Sequence, residues 1–135
     1  MESKTFLDIL PNNFRHEKSF FVQNNLTDIE KLSNLSDLEI NEIQRTYSLC
    51  TLNNLKKIRA IAILKKEIGI SPPNAYLLLH CGIGSIKSLS KSTPHELEHK
   101  IGRLERSLRV KTETGITFTL LRKWIKRAQE VSDIF

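Results

Sequence analysis

IGISPPNAYLLLHCGIGSIKSLSKSTPHELEHKI, residues 68–101, is the stretch whose reading decides the fold. Gly69 suits a positive φ and so a tight corner after a helix. Ser71 is a good N-cap for a following helix whose first positions are Pro72 and Pro73, where a missing N–H costs nothing. The apolar run Tyr76 to Leu79 continues that helix, and Gly82 suits the left-handed position just past its end. A short helix then starts at Ser85 and buries Ile86 and Leu89. Another starts after Thr93, with Pro94 at its first position and Glu96 closing a Thr-x-x-Glu capping box.

On the N-terminal side, a short helix is expected over 4–10, with Phe6, Leu7 and Leu10 on one side. Pro11-Asn12-Asn13 marks a turn. Residues 14–24 read as a helix with Phe14, Phe21 and the methylenes of Lys18 inward, ended by Asn24-Asn25, because Asn tolerates the left-handed conformation. Helices follow over 28–33 and over 37–47, the second capped by Ser36 and Glu39. The longest spans 52–67, with Leu55, Ile58, Ile61, Ala62 and Leu64 at three-to-four spacing. Beyond the central stretch, 94–106 is helical and 108–115 a polar connector. The last helix, 117–131, buries Leu121, Trp124, Ile125 and Ala128 and wets Arg122, Lys123, Lys126 and Arg127. No segment alternates as a strand would, so the fold class is all-α.

A shift of 57 residues superposes parts of the two halves. Asn25 falls on Gly82, Leu26 on Ile83, Asp28 on Ser85 and Ile29 on Ile86. Leu32 falls on Leu89, Ser33 on Ser90, Ser36 on Thr93 and Glu39 on Glu96. These are cap, core and turn positions. The expected organisation is therefore two pseudo-repeats, residues 1–67 and 68–135, packed into one compact domain.

Ile68, Gly69, Ile70, Ser71 and Ala75 resemble the apolar-Gly-apolar-Gly-x-x-x-Ala pattern of helix-hairpin-helix units, with Ser71 in place of the second glycine. The following GIGSIKSLSKSTPHEL is similar to the connector between paired hairpins, as in the C-terminal domain of the bacterial RNA polymerase alpha subunit and in repair proteins. Trp124-Ile125-Lys126-Arg127-Ala128 resembles the ending of a family of small bacterial domains of unknown function built on this core. The resemblance covers roughly 68–128 and implies a phosphate-contacting hairpin at Gly69, Ile70 and Ser71. The first unit, lacking the glycine near Leu10–Asn13, is a degenerate copy. Gly82-Ile83-Gly84 reads as a helix end and connector.

Charge is unevenly placed. Of the formal +6, residues 1–50 hold five Lys/Arg against eight Asp/Glu, a balance of −3, and residues 51–135 sixteen against seven, a balance of +9. A basic half of this kind faces a polyanion or is simply a solvated surface. No apolar run reaches the ~18 residues of a membrane span and the N-terminus is not a signal peptide, so a cytoplasmic protein without membrane contact is expected. Cys50 and Cys81 are too few for a disulfide framework and read as small buried hydrophobes.

His95-Glu96-Leu97-Glu98-His99 matches the zinc-protease motif His-Glu-x-x-His. Glu96 already has a capping role, matched by Glu39 in the first half without any histidine. A third ligand is also required, and His16 and His80 are the only other histidines. No metal and no cofactor are therefore expected. Nothing resembles a nucleotide loop, a nucleophile elbow or a paired-carboxylate site, so neither an enzyme nor a small-molecule substrate is expected.

The candidate contacts to nucleic acid are Gly69, Ile70 and Ser71 in the hairpin, with Lys65, Lys66, Arg103, Arg106, Arg122, Lys123 and Lys126 around it. Arg109 and Lys111 extend the same basic run. Pro72 and Pro73 remove two backbone donors and so weaken the hairpin as a phosphate cradle. Trp124 points inward, which argues against base stacking and favours a duplex. The sequence leaves two functions open. One is sequence-tolerant phosphate contact with nucleic acid. The other is an adaptor whose basic half docks on an acidic protein partner.

Overall fold

In the computed structural model, which describes residues 6–108 and 116–134, all regular structure among the described residues is helical. The first half holds α1 Arg15–Gln23, α2 Ile29–Ser33, α3 Asp37–Thr46 and α4 Leu52–Ile68. The second holds α5 Pro72–His80, α6 Ile86–Ser90, α7 Pro94–Leu108 and α8 Phe118–Ile134. The helix expected over 4–10 is instead a single 3-10 turn, Leu7–Ile9, with a second at Asn12–Phe14. Pro11 is the reason: it disfavours the α region for the residue before it, and Leu10 is extended, with ψ 146°. Of the connector expected over 108–115, Leu108 closes α7 and the remainder lies outside the described residues.

Element bounds recur between the halves. Adding 57 to the limits of α1 and α2 gives 72–80 and 86–90, the limits of α5 and α6, and the start of α3 moves onto the start of α7. Helices α4 and α8 are each 17 residues long. The caps recur as well. Asn25 (φ 57°) and Gly82 (φ +87°) both turn left-handed. One residue on, Leu26 N–H donates to Phe21 O at 2.8 Å and Ile83 N–H to Leu78 O at 2.9 Å, the bond that closes a Schellman ending. The hydroxyl of Ser33 donates to Glu30 O at 2.8 Å, and that of Ser90 to Lys87 O at 2.7 Å. At the heads of α4 and α8 the hydroxyls of Thr51 and Thr117 accept from Asn54 and Leu120 N–H, each at 3.1 Å.

The same side chains fill the core at matched positions: Phe21 and Leu78, Leu32 and Leu89, Ile40 and Leu97 are all fully buried. Packing repeats with them. Helix α2 lies on α4 as α6 lies on α8, and α3 meets α4 as α7 meets α8. Because α4 also touches α5 and α8, the apolar side chains from Leu7 to Ala128 form one continuous cluster, with Trp124 inside it. Each large side chain so buried contributes about 1.5–3 kcal/mol, which is why this cluster and not helix propensity holds such short helices in place. Ile86 is only half-buried, unlike Leu89 on the same short helix.

One buried group runs against periodicity. On α1 the inward polar residue is Glu17, fully buried, whereas Lys18 is half-buried and pairs with Asp8 at 3.5 Å. The Glu17 carboxylate accepts from Thr51 N–H at 2.9 Å and from the Asn54 side-chain amide at 3.3 Å. A helix N-terminus presents unsatisfied donors and a partial positive charge, so a carboxylate reaching across from α1 stabilises the start of α4. The residue 57 positions on, Asn74, is also buried.

Candidate nucleic-acid interface

The corner between α4 and α5 is three residues long. Gly69 takes φ +88°, and its N–H donates to Leu64 O at 3.2 Å and Lys65 O at 3.0 Å. Ile70 N–H donates to Leu64 O at 3.4 Å, and its side chain is fully buried. Both amides are therefore used to close the C-terminus of α4, where helix carbonyls need donors. Ser71 has N-cap backbone angles but makes no capping bond, and its Oγ is buried without a partner. The capping acceptor normally takes the N–H of the second or third helical residue, and the second here is Pro73. Pro72 and Pro73 have no N–H, and the third residue, Asn74, is buried. The cap expected from Ser71 is therefore absent, and the Gly69 and Ile70 amides, expected to contact phosphate, are bonded within the chain.

The expected cations fall into two groups. Helix α8 turns Leu121, Trp124, Ile125 and Ala128 into the core, which leaves Arg122, Lys123 and Lys126 exposed. Among the described residues no carboxylate lies within 4.0 Å of any of these three. Arg127 Nε donates to Glu67 O at 3.3 Å while its Nη1 lies 3.7 Å from Glu130, and this bond ties α8 to the C-terminal end of α4. Lys65 is exposed on that end. Lys66 differs, because its ammonium lies 3.5 Å from Glu30 and 4.0 Å from Glu67, which offsets its charge locally.

The second group is on α7. Arg103 and Lys100 border a hollow of about 390 Å³ with His80, Cys81 and Leu104 at the end of α5. Arg106 is exposed, and its Nη1 folds back over Gly102, 3.3 Å from where a Cβ would stand. Arg109 and Lys111 lie outside the described residues. Arg59, on the outer side of α4, is tied to Asp37 at 2.8 Å and to Leu35 O at 3.0 Å and serves as a brace between α4 and the α2–α3 turn.

The His-Glu-x-x-His segment forms the first turns of α7. Glu96 N–H donates to Thr93 Oγ1 at 3.2 Å, and the His95 ring lies 4.8 Å from that of Phe118. Among the described residues no three His, Cys, Asp or Glu side chains converge on one point. Both cysteines are free, Cys50 buried and Cys81 half-buried. Burial raises the pKa of the Cys50 thiol, and the nearby Glu17 charge raises it further. Burial also raises that of Cys81, with Lys100 pulling the other way. A thiol held protonated is a poor nucleophile.

Sequence reasoning missed Glu17 and the pairing of Lys66. Glu17 did carry a local signal, three residues after Phe14 and four before Phe21 on one stripe of α1. Lys66 carried none, since its partner Glu30 is remote in sequence.

The architecture defines an all-α protein whose second half repeats the helix order of the first. No helix among the described residues is long and apolar enough to cross a membrane. The chain belongs to the family described as Domain of unknown function (DUF4332), whose model matches residues 11–131. No curated protein and no solved structure shows a significant match to it.

Proposed function

We propose that this is a non-catalytic, cytoplasmic nucleic-acid-binding protein that contacts the phosphate backbone without reading sequence and favours duplex. Its two halves act as helix-hairpin-helix-like units, the first degenerate, with the Gly69 corner as a packing device. The observation that carries the reading is the outer face of α8, where Arg122, Lys123 and Lys126 stand exposed with no carboxylate within 4.0 Å among the described residues. Lys65 is exposed at the end of α4 that Arg127 ties to α8, and Arg103 and Arg106 of α7 form a second exposed basic group. Arginine and lysine presented on a rigid helix suit phosphate oxygens, and the buried Trp124 offers no platform for unpaired bases.

Titration with duplex DNA, single-stranded DNA and RNA at 50 and 200 mM salt tests the proposal. A footprint of about four phosphates lowers affinity by roughly two orders of magnitude between those salts, through release of condensed counterions. Lys123→Ala shallows the log–log slope by about one unit, with the same loss on every sequence. Absence of any salt-sensitive binding refutes the reading. Binding of an acidic peptide instead, lost with the same α8 substitutions, assigns this face to an acidic protein partner.

A further inference from the structure

The strongest unassigned feature lies on the opposite half. Between the end of α1, α2 and α3 runs a groove of about 740 Å³, open to solvent. Its floor is apolar, with Phe20, Leu26, Ile43 and Tyr47, and the Phe20 and Tyr47 rings pack at a tilt of 55° with centroids 4.5 Å apart. Its rim carries Asp28, Glu30, Glu39 and Glu42 beside Lys31, with Lys66 3.5 Å from Glu30 and Arg45 3.6 Å from Glu42, which leaves a local balance of −1. Phe20 and Tyr47 continue into an adjoining hollow that reaches Leu49.

The matched place in the second half is lined differently. Moving 57 residues on, Ile43 becomes Lys100, Thr46 becomes Arg103 and Tyr47 becomes Leu104, and these three border the smaller hollow at the end of α5. One position in the architecture thus appears twice, once apolar and aromatic, once basic. Exposed apolar side chains follow the same division. Among the described residues, the exposed large hydrophobics are Ile9, Val22, Leu38, Tyr47 and Leu49, all in the acidic half, with Leu38 at 80 % and Leu49 at 67 % exposure. Of these, Tyr47 lines the groove and Leu49 the adjoining hollow, and exposed apolar surface continuous with an apolar groove marks an interaction site.

We infer that the α1–α2–α3 groove docks a basic amphipathic helix of a protein partner, its apolar face on Phe20 and Tyr47 and its lysines or arginines against the acidic rim. Charge complementarity selects this occupant: residues 1–50 carry a net −3, which disfavours nucleic acid and anionic lipid, and a groove this open cannot enclose a small molecule as a pocket does. A second copy of this chain does not supply the helix either. Its own basic helices, α7 and α8, have their apolar residues Leu97, Ile101, Leu121 and Trp124 in the core.

The test uses the full chain and a labelled synthetic 18-residue peptide carrying leucine at helical spacing and lysine elsewhere. A second peptide has glutamate for lysine, and fluorescence anisotropy is the readout. The lysine peptide binds saturably, the glutamate peptide does not, and amide shifts of the bound protein cluster on α2 and α3. Tyr47→Ala weakens binding by about tenfold or more, as loss of a central aromatic anchor does. Glu42→Lys weakens it and flattens its salt dependence, while the same reversal in the other half, Glu98→Lys, leaves it unchanged. Circular dichroism confirms that each variant is folded. If the lysine peptide fails to saturate, if the glutamate peptide binds as well, or if Glu42→Lys has no more effect than Glu98→Lys, the inference is wrong.

Discussion

Replacing Glu17 by alanine is the sharpest test of how the first half is held together. The carboxylate is fully buried, so solvent does not screen it, and it accepts from Thr51 N–H at 2.9 Å and from the Asn54 amide at 3.3 Å. Truncation leaves the Thr51 N–H without its acceptor, and because Thr51 is exposed that N–H turns to water. Hydrogen bonds to a charged group contribute about 1.5–3 kcal/mol each. The second bond is long, and the cavity partly hydrates, so the expected loss is about 3 kcal/mol. For a chain of this size that lowers the melting temperature by roughly ten degrees. Glu17→Gln keeps an acceptor oxygen and loses only the charge, so it costs about half as much. Urea unfolding followed at 222 nm measures both. A double cycle with Asn54→Ala isolates the coupling, which should exceed about 0.5 kcal/mol for groups in one network. A loss for Glu17→Ala below about 1 kcal/mol would falsify the view that α1 caps α4.

Three further outcomes are expected. Gly69→Ala destabilises the chain by about 1 kcal/mol, because the residue sits at φ +88° while its Cβ would meet nothing within 4 Å. Nucleic-acid affinity measured on the folded variant should not change, since the corner amides already bond within the chain. Both thiols have raised pKa values, so alkylation of the folded protein at neutral pH is slow compared with the urea-unfolded chain and quickens as pH rises. Their linked contribution to stability is complete below the ordinary thiol pKa of 9.0 and is lost as pH climbs through the raised values, which pH-dependent unfolding will show. Finally, His95→Ala and a chelator both leave helicity and metal content unchanged, and one zinc per chain by elemental analysis would overturn that.

What the sequence disclosed and what it hid follow from the range of the interactions. Helix ends were legible at Asn25, Gly69 and Gly82 because a left-handed residue is a local requirement. The caps at Ser36 and Thr93 were legible because a hydroxyl reaches only two or three residues on. The 57-residue offset came through for the same reason, since caps and core positions are what repetition must preserve. Glu17 was hidden because charge alone assigns it to water, and its partner Thr51 lies 34 residues away. Lys66 was hidden likewise by Glu30. Ser71 misled because the residue type promised a cap that the two following prolines cannot complete. At the candidate interface, the sequence marked the exposed cations of α8. The use of the Gly69 and Ile70 amides inside the chain emerged only with the geometry of the corner.

The three-residue junction at Gly69, Ile70 and Ser71 also sets how the two halves work together. A flexible tether would let two bound ligands explore a wide volume, and their effective concentration for one another would fall with its length. Here the buried Ile70 side chain and the continuous apolar cluster remove that freedom. Anything held by the acidic half and anything held by the basic half is therefore kept at one fixed separation and angle. The entropy of bringing them together is already contained in the folding of the chain.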